Sequence, residues 1–183
     1  MGCGALAVWL TVRQNVWCWP VGLVNVSLFF VVFSHARLYG STALQGVYFA
    51  LCLYGWYQWL HGGSDHGRLA VSRTPGPWAL GLGVAGVAFS IALGLFLWQR
   101  TDAVLPFWDA GTTGFSLVAQ WMTTRKWIET WLVWIVVDVV YVGLYLSQGL
   151  YPTAGLYAAF LVLAVLGLVE WRRSLGAPNA ETA

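Results

Sequence analysis

An all-α membrane protein with seven transmembrane helices, built as two parallel three-helix repeats joined by a linker helix, is the fold class that three observations predict. The chain of 183 residues is 59% hydrophobic and only 9% charged, against roughly 25% charge in an average soluble domain. Long stretches carry no charged side chain at all. The chain also aligns with itself at an offset of 112 residues, pairing Trp19 with Trp131, as an internal duplication would. Thirteen tryptophans and 21 glycines suit lipid as the solvent, because aromatic rings anchor at its interfaces and glycines let helices approach closely. A scattered net charge of +2 argues against nucleic acid as a partner. Cys3, Cys18 and Cys52 show neither disulfide nor zinc spacing, and Met1 to Gly4 lacks the basic start of a secretory signal.

A span needs about 20 apolar residues to cross a hydrocarbon core of about 30 Å. Gly2 to Val12 is apolar but half that length, and is expected as a short first helix. Val16 to Ser34 and Leu38 to Leu60 contain no charged residue and complete a first repeat over residues 1–61. Residues 62–77 are expected as a cytoplasmic loop and 78–98, from Trp78 to Trp98, as the linker helix. The second repeat, 109–173, opens with Ala110 to Thr124. From Thr130 to Val169 the only charge is Asp138, and the stretch is too long for one span; Ser147-Gln148-Gly149 followed by Pro152 divides it. Residues 174–183 are small and polar, a tail expected to be disordered.

Cytoplasmic loops carry an excess of Lys and Arg. With seven spans, Arg13, Arg68, Arg73, Arg125, Lys126, Arg172 and Arg173 fall on the side of the C-terminus, and Arg37 and Arg100 on the other. The C-terminus is therefore expected in the cytoplasm.

Laying Val8 to Trp59 over Gln120 to Trp171 without a gap gives twelve identities in 52 positions. They include Trp9 with Trp121, Thr11 with Thr123, Arg13 with Arg125, Leu38-Tyr39 with Leu150-Tyr151, Gly55 with Gly167 and Trp59 with Trp171. Shared hydrophobicity is the competing explanation. A single span between two three-helix units returns both to one direction, the parallel arrangement in which transporters hold a substrate near the midplane.

An ionisable group inside the membrane costs about 2.5 to 3.5 kcal/mol on insertion scales, so Asp138 needs a partner, a wet cavity or a function. At 100° per residue, Trp131, Trp134, Asp138, Tyr141 and Tyr145 fall within about 80° of one another. A stripe of rings about one carboxylate suits a flat cation; a structural Asp among packing aromatics is the alternative. The third helix has a like face with Gln45, Tyr48, Cys52, Gly55, Trp56 and Trp59, where Gln45 reads either as an amide reader or as an interhelical bond. Asn25 fits an interhelical bond better than a ligand contact. Gly81 to Gly86 spells GxGxxG, but inside an uncharged span with no preceding strand it is no dinucleotide site. Gly86, Ser90 and Gly94 make a small-residue ridge for close packing, within the chain or against another subunit. His61, Asp65 and His66 are too loosely spaced to favour a metal, and no cofactor is expected.

Leu53-Tyr54-Gly55-Trp56-Tyr57-Gln58-Trp59, Trp19-Pro20-Val21-Gly22, and Arg125-Lys126 through Trp131-Leu132-Val133-Trp134 to Asp138 resemble the Pnu-type vitamin transporters, the PnuC family that takes up nicotinamide riboside. The resemblance runs from about Val8 to Arg173. It implies a three-plus-one-plus-three fold like that of the SWEET transporters, homotrimers in the bacterial plasma membrane, and facilitated diffusion of the vitamin, a precursor of NAD. Trp131, Trp134 and position 138 match the family's WxxWxxxN motif, and Gln45 matches a substrate-contacting glutamine of the third helix. Asp138 replaces the family's Asn, which favours a cationic ring and leaves nicotinamide riboside and thiamine both open. The resulting expectation is a uniporter, not an enzyme, binding a small cationic vitamin through Gln45, Tyr48, Trp56, Trp59, Trp131, Trp134, Asp138 and Tyr141. The sequence contains no P-loop, so ATP-driven transport is not expected; proton coupling through Asp138, an embedded enzyme and an assembly subunit are the rival readings.

Overall fold

The computed structural model describes residues 2–37, 39–63, 67–101 and 105–176. Among them the named elements are seven helices: α1 (Gly2–Val12), α2 (Cys18–His35), α3 (Tyr39–His61), α4 (Gly76–Arg100), α5 (Pro106–Thr124), α6 (Thr130–Ser147) and α7 (Tyr151–Gly176). By length and composition α2, α4, α6 and the Tyr151–Leu175 part of α7 suffice to cross a membrane. α1, with 11 residues, is about 16 Å long at 1.5 Å per residue. α3 is long enough, but Gln45 and Gln58 with its small polar residues lower its hydropathy. α5 carries Asp109, Thr112, Ser116, Gln120 and Thr123. α3 and α5 pack on each other, so much of their polar surface is turned inward rather than toward lipid.

Two boundaries differ from expectation. α5 begins at Pro106 rather than Ala110, because proline is pre-set for the first helical turn and Asp109 sits in that turn, where the helix dipole favours a carboxylate. At the other end α7 continues to Gly176, and Ser174, expected in a disordered tail, accepts a 2.6 Å hydrogen bond from Gln14. The rest of that tail, with Leu38, Asp65 and His66, lies outside the described residues.

Packing orders six helices in a ring. α1 lies against α2, α2 against α3, α3 against α5, α5 against α6, α6 against α7, and α7 returns to α1. α4 stands on α5. Its small-residue ridge packs within the chain, not on a second subunit: a Cβ at Gly94 would meet the Phe107 ring, and one at Gly114 would meet Ser90 Oγ. Residues 67–75 are laced to the α5–α6 turn. Ser72 N donates to Lys126 O at 3.1 Å, Ile128 N donates back to Ser72 O at 3.0 Å, and Glu129 accepts from Thr74 N and Oγ1 at 2.8 and 2.7 Å.

Residues 112 positions apart make like contacts. Trp19 lies edge-on to Trp59 at 5.3 Å, and Trp131 to Trp171 at 5.3 Å. Trp59 Nε1 donates to Thr123 O at 3.0 Å, and Trp171 Nε1 to Thr11 O at 3.2 Å. Gln14 and Lys126 leave their helices at φ 53° and 52°; Arg37 and Gly149 do so at 57° and 72°. Gly55 and Gly167 are notches for the Trp19 and Trp131 rings, which a Cβ would strike. Gly55→Ala and Gly167→Ala should each cost about 1–3 kcal/mol, as overpacking does, and lower the melting temperature of the purified protein. Gly81→Ala, with nothing within 4 Å, should leave it unchanged; equal behaviour of all three would contradict the notch.

Candidate functional site

The ring of helices encloses a cavity of about 330 Å³. α6 supplies Trp131, Trp134, Asp138 and Tyr141; α3 supplies Tyr48 and Cys52; α2 supplies Cys18, Trp19, Gly22, Asn25 and Val26. α5 adds Ser116, Gln120 and Thr123, α1 adds Thr11, and α7 adds Tyr157, Phe160 and Ala164. The α6 residues recur every three or four positions, so one helical face delivers two indoles, a carboxylate and a phenol to one wall.

Asp138 is 4% exposed, and among the described residues it has neither a hydrogen bond nor a salt bridge. Trp131, Trp134, Tyr141 and Tyr157 line the same cavity, and Tyr157 lies 4.4 Å from Tyr141 and 5.3 Å from Tyr145. The indole N–H groups of Trp19 and Trp131 are buried without an acceptor among the described residues. Tyr48 Oη and Ser116 Oγ are 2.6 Å apart and tie α3 to α5, while Ser116 Oγ also reaches Thr113 O at 2.9 Å.

Of the residues singled out from sequence, Tyr48, Trp131, Trp134, Asp138 and Tyr141 line this cavity. Gln45, Trp56 and Trp59 do not. Gln45 lines a separate hollow between α2 and α3 with Val26, Phe30 and Phe49. Trp56 is exposed on the outer side of α3, and Trp59 is packed between Trp19 and Trp171. A shared helical face fixes angle but not depth: Gln45 and Trp59 lie to either side of the Tyr48–Cys52 level. Sequence reasoning passed over Ser116, Gln120 and Thr123. Their spacing with Thr112 repeats every three or four residues along α5, a polar stripe visible in the sequence.

The end of the ring at the C-termini of α1, α3, α5 and α7 is basic. Lys126, 6% exposed, donates to Leu69 O at 2.8 Å and stands 4.4 Å over the Trp59 ring. Burial brings its ammonium down to about 8, Cys18 acting against that shift and Arg68 with it. No cluster of three or more His, Cys, Asp or Glu suited to a metal occurs among the described residues.

A family model described as nicotinamide mononucleotide transporter matches residues 1–173. The chain belongs to that transporter family. The nicotinamide riboside transporter PnuC of Escherichia coli K12 is 30% identical to it, over 93% of this chain and 82% of that one. The riboflavin/roseoflavin transporter RibM of Streptomyces davaonensis is 29% identical, over 92% of this chain and 80% of that one. The crystal structure of a vitamin B3 transporter, PnuC, matches the fold with a TM-score of 0.72 at 23% identity, over 94% of this chain and 78% of that one. As a member of the nicotinamide mononucleotide transporter family the chain is a multi-pass membrane transporter, not an enzyme.

Removing the Tyr48 hydroxyl deletes one of the α3–α5 hydrogen bonds, another being Trp59 Nε1 to Thr123 O, without emptying the cavity. Tyr48→Phe should therefore lower stability by about 1 kcal/mol, the net worth of one hydrogen bond, read as a fall in melting temperature. An unchanged melting curve would show that the link carries no load.

Proposed function

We propose that this chain is a uniporter for nicotinamide riboside, bound in the central cavity with its cationic pyridinium ring beside Asp138 and among Trp131, Trp134, Tyr141 and Tyr48. The observation that carries this reading is the Asp138 carboxylate, buried in a cavity lined with aromatic rings and without a cationic partner among the described residues. A buried charge is strongly unfavourable unless paired, and a guest cation supplies the pair. Aromatic faces add roughly 0.5–2 kcal/mol each toward a cation. The relatives' names agree on a vitamin or its nucleotide but differ in which one; riboflavin has no fixed positive charge, so Asp138 favours the nicotinamide compound, with thiamine as the cationic alternative.

Transport by rocking of two like halves, residues 1–61 and 109–173, follows from their parallel repetition, with 78–98 as the linker between them and 62–77 as a cytoplasmic loop. The like contacts 112 residues apart support that reading. So does the pairing of helices, since α1–α2–α3 and α5–α6–α7 each follow in order and meet at two seams, α3 on α5 and α7 on α1. The excess of Lys and Arg at one end supports a cytoplasmic C-terminus. Assembly as a homotrimer rests on the family resemblance alone. Gln45, Trp56 and Trp59 enter as supports of the site rather than as contacts of the substrate.

Labelled nicotinamide riboside should equilibrate across proteoliposomes containing only this protein and stop at the external concentration. Accumulation beyond that level would exclude uniport, and robust uptake of thiamine without nicotinamide riboside would reassign the substrate. Asp138→Ala and Trp134→Ala should each weaken nicotinamide riboside binding at least tenfold by calorimetry without lowering expression. Wild-type affinity in both variants would remove the site.

A further inference from the structure

We propose that the hollow at the basic end of the ring, where Arg13, Arg68 and Lys126 converge, is a second binding site, for a phosphate-bearing anion. It goes beyond the vitamin site and does not depend on it. The hollow measures about 400 Å³ and is lined by these three cations with Gln14, Asn15, Trp17 and Trp59 among others, with no carboxylate among its described lining residues. Two carboxylates among the described residues at this end are engaged elsewhere. Glu129 is held by Thr74, and Glu170 lies 3.7 Å from Arg173. Arg125, a cation of the same end, is taken up over the Tyr54 and Trp121 rings at 5.4 and 5.3 Å.

Membrane orientation accounts for basic residues at one end, but not for three of them facing one concavity with one buried. Lys126 is fixed there by its bond to Leu69 O and by the Trp59 ring, so its charge is positioned before any guest arrives. Asn15 uses its Oδ1 to accept from Trp17 N at 3.0 Å and keeps its amide donor free. Phosphate suits this set better than a carboxylate. A phosphate monoester brings close to two negative charges and three acceptor oxygens, and arginine forks match that geometry. Its source is either a soluble monoester or a phospholipid headgroup.

The test uses the full chain in phosphatidylcholine nanodiscs, titrated calorimetrically with ribose 5-phosphate and with ribose. The expected result is binding of the phosphate but not of ribose, weakened at least tenfold in the Arg13→Gln/Arg68→Gln double variant. Both arginines are exposed, so the variant should melt like wild type, which checks its fold without using the vitamin. If ribose 5-phosphate does not bind, but wild type carries phosphatidylglycerol through purification and the double variant loses it, the anion is a lipid headgroup. Failure of both arms overturns the site. Nicotinamide riboside binding, measured on the same samples, reports separately on the central cavity.

Discussion

Four tryptophans hold the ring of helices closed. In lipid there is no hydrophobic force between helices, so their association rests on close packing and on hydrogen bonds. Trp19, Trp59, Trp171 and Trp131 meet in succession, with ring centroids 5.3, 6.1 and 5.3 Å apart. The outer two sit over glycine notches, and the inner two donate indole N–H groups to carbonyls in the last turns of α5 and α1. Each carbonyl also accepts a backbone N–H, from Lys126 N to Thr123 O at 3.1 Å and from Gln14 N to Thr11 O at 2.9 Å, so the indoles add second bonds that fasten α3 to α5 and α7 to α1. A six-helix ring has those two seams as its only closures out of chain order, and each has one indole across it.

The cavity exists because the ring is symmetric in frame and asymmetric in lining. Gly22 lies 112 residues before Trp134, Val26 before Asp138 and Phe29 before Tyr141. Gly22 and Val26 line the cavity from α2, while Trp134 and Asp138 line it from α6. At these paired positions α6 presents an indole and a carboxylate where α2 presents only Gly22 and Val26.

Most of the helices were legible in the sequence because charge-free runs of apolar residues have little choice in a bilayer. Their ends were legible less often. Asp109 reads as the edge of a span, yet it belongs to the first turn of α5, and Pro106, which starts that helix, reads as loop. The site was half legible. Helical periodicity picked out Trp131, Trp134, Asp138 and Tyr141 correctly as neighbours, since all lie on one helix and one face. It could not tell Tyr48 from Gln45 or Trp59, which share an angle on α3 but lie at other depths, and depth is set by how α3 leans on α2 and α5. The polar stripe of α5 went unread because its residues are small and uncharged. Nothing in the sequence signals that Lys126 turns inward at positive φ to lie on Trp59, as that contact joins residues 67 positions apart.

The distribution of strong and weak contacts determines where the ring can open. Within each half, Trp19 over Gly55 and Trp131 over Gly167 are steric fits between rings and backbone, and close-packed interfaces switch between discrete arrangements rather than deform gradually. Across the seams the fastening includes two indole hydrogen bonds, each worth about 1 kcal/mol net. The indole row also separates two fields. Trp19 and Trp131 face the cavity that holds Asp138, and Trp59 faces the hollow that holds Lys126. Parting the α3–α5 and α7–α1 seams would break the indole hydrogen bonds and spare the notches, which lie between α2 and α3 and between α6 and α7.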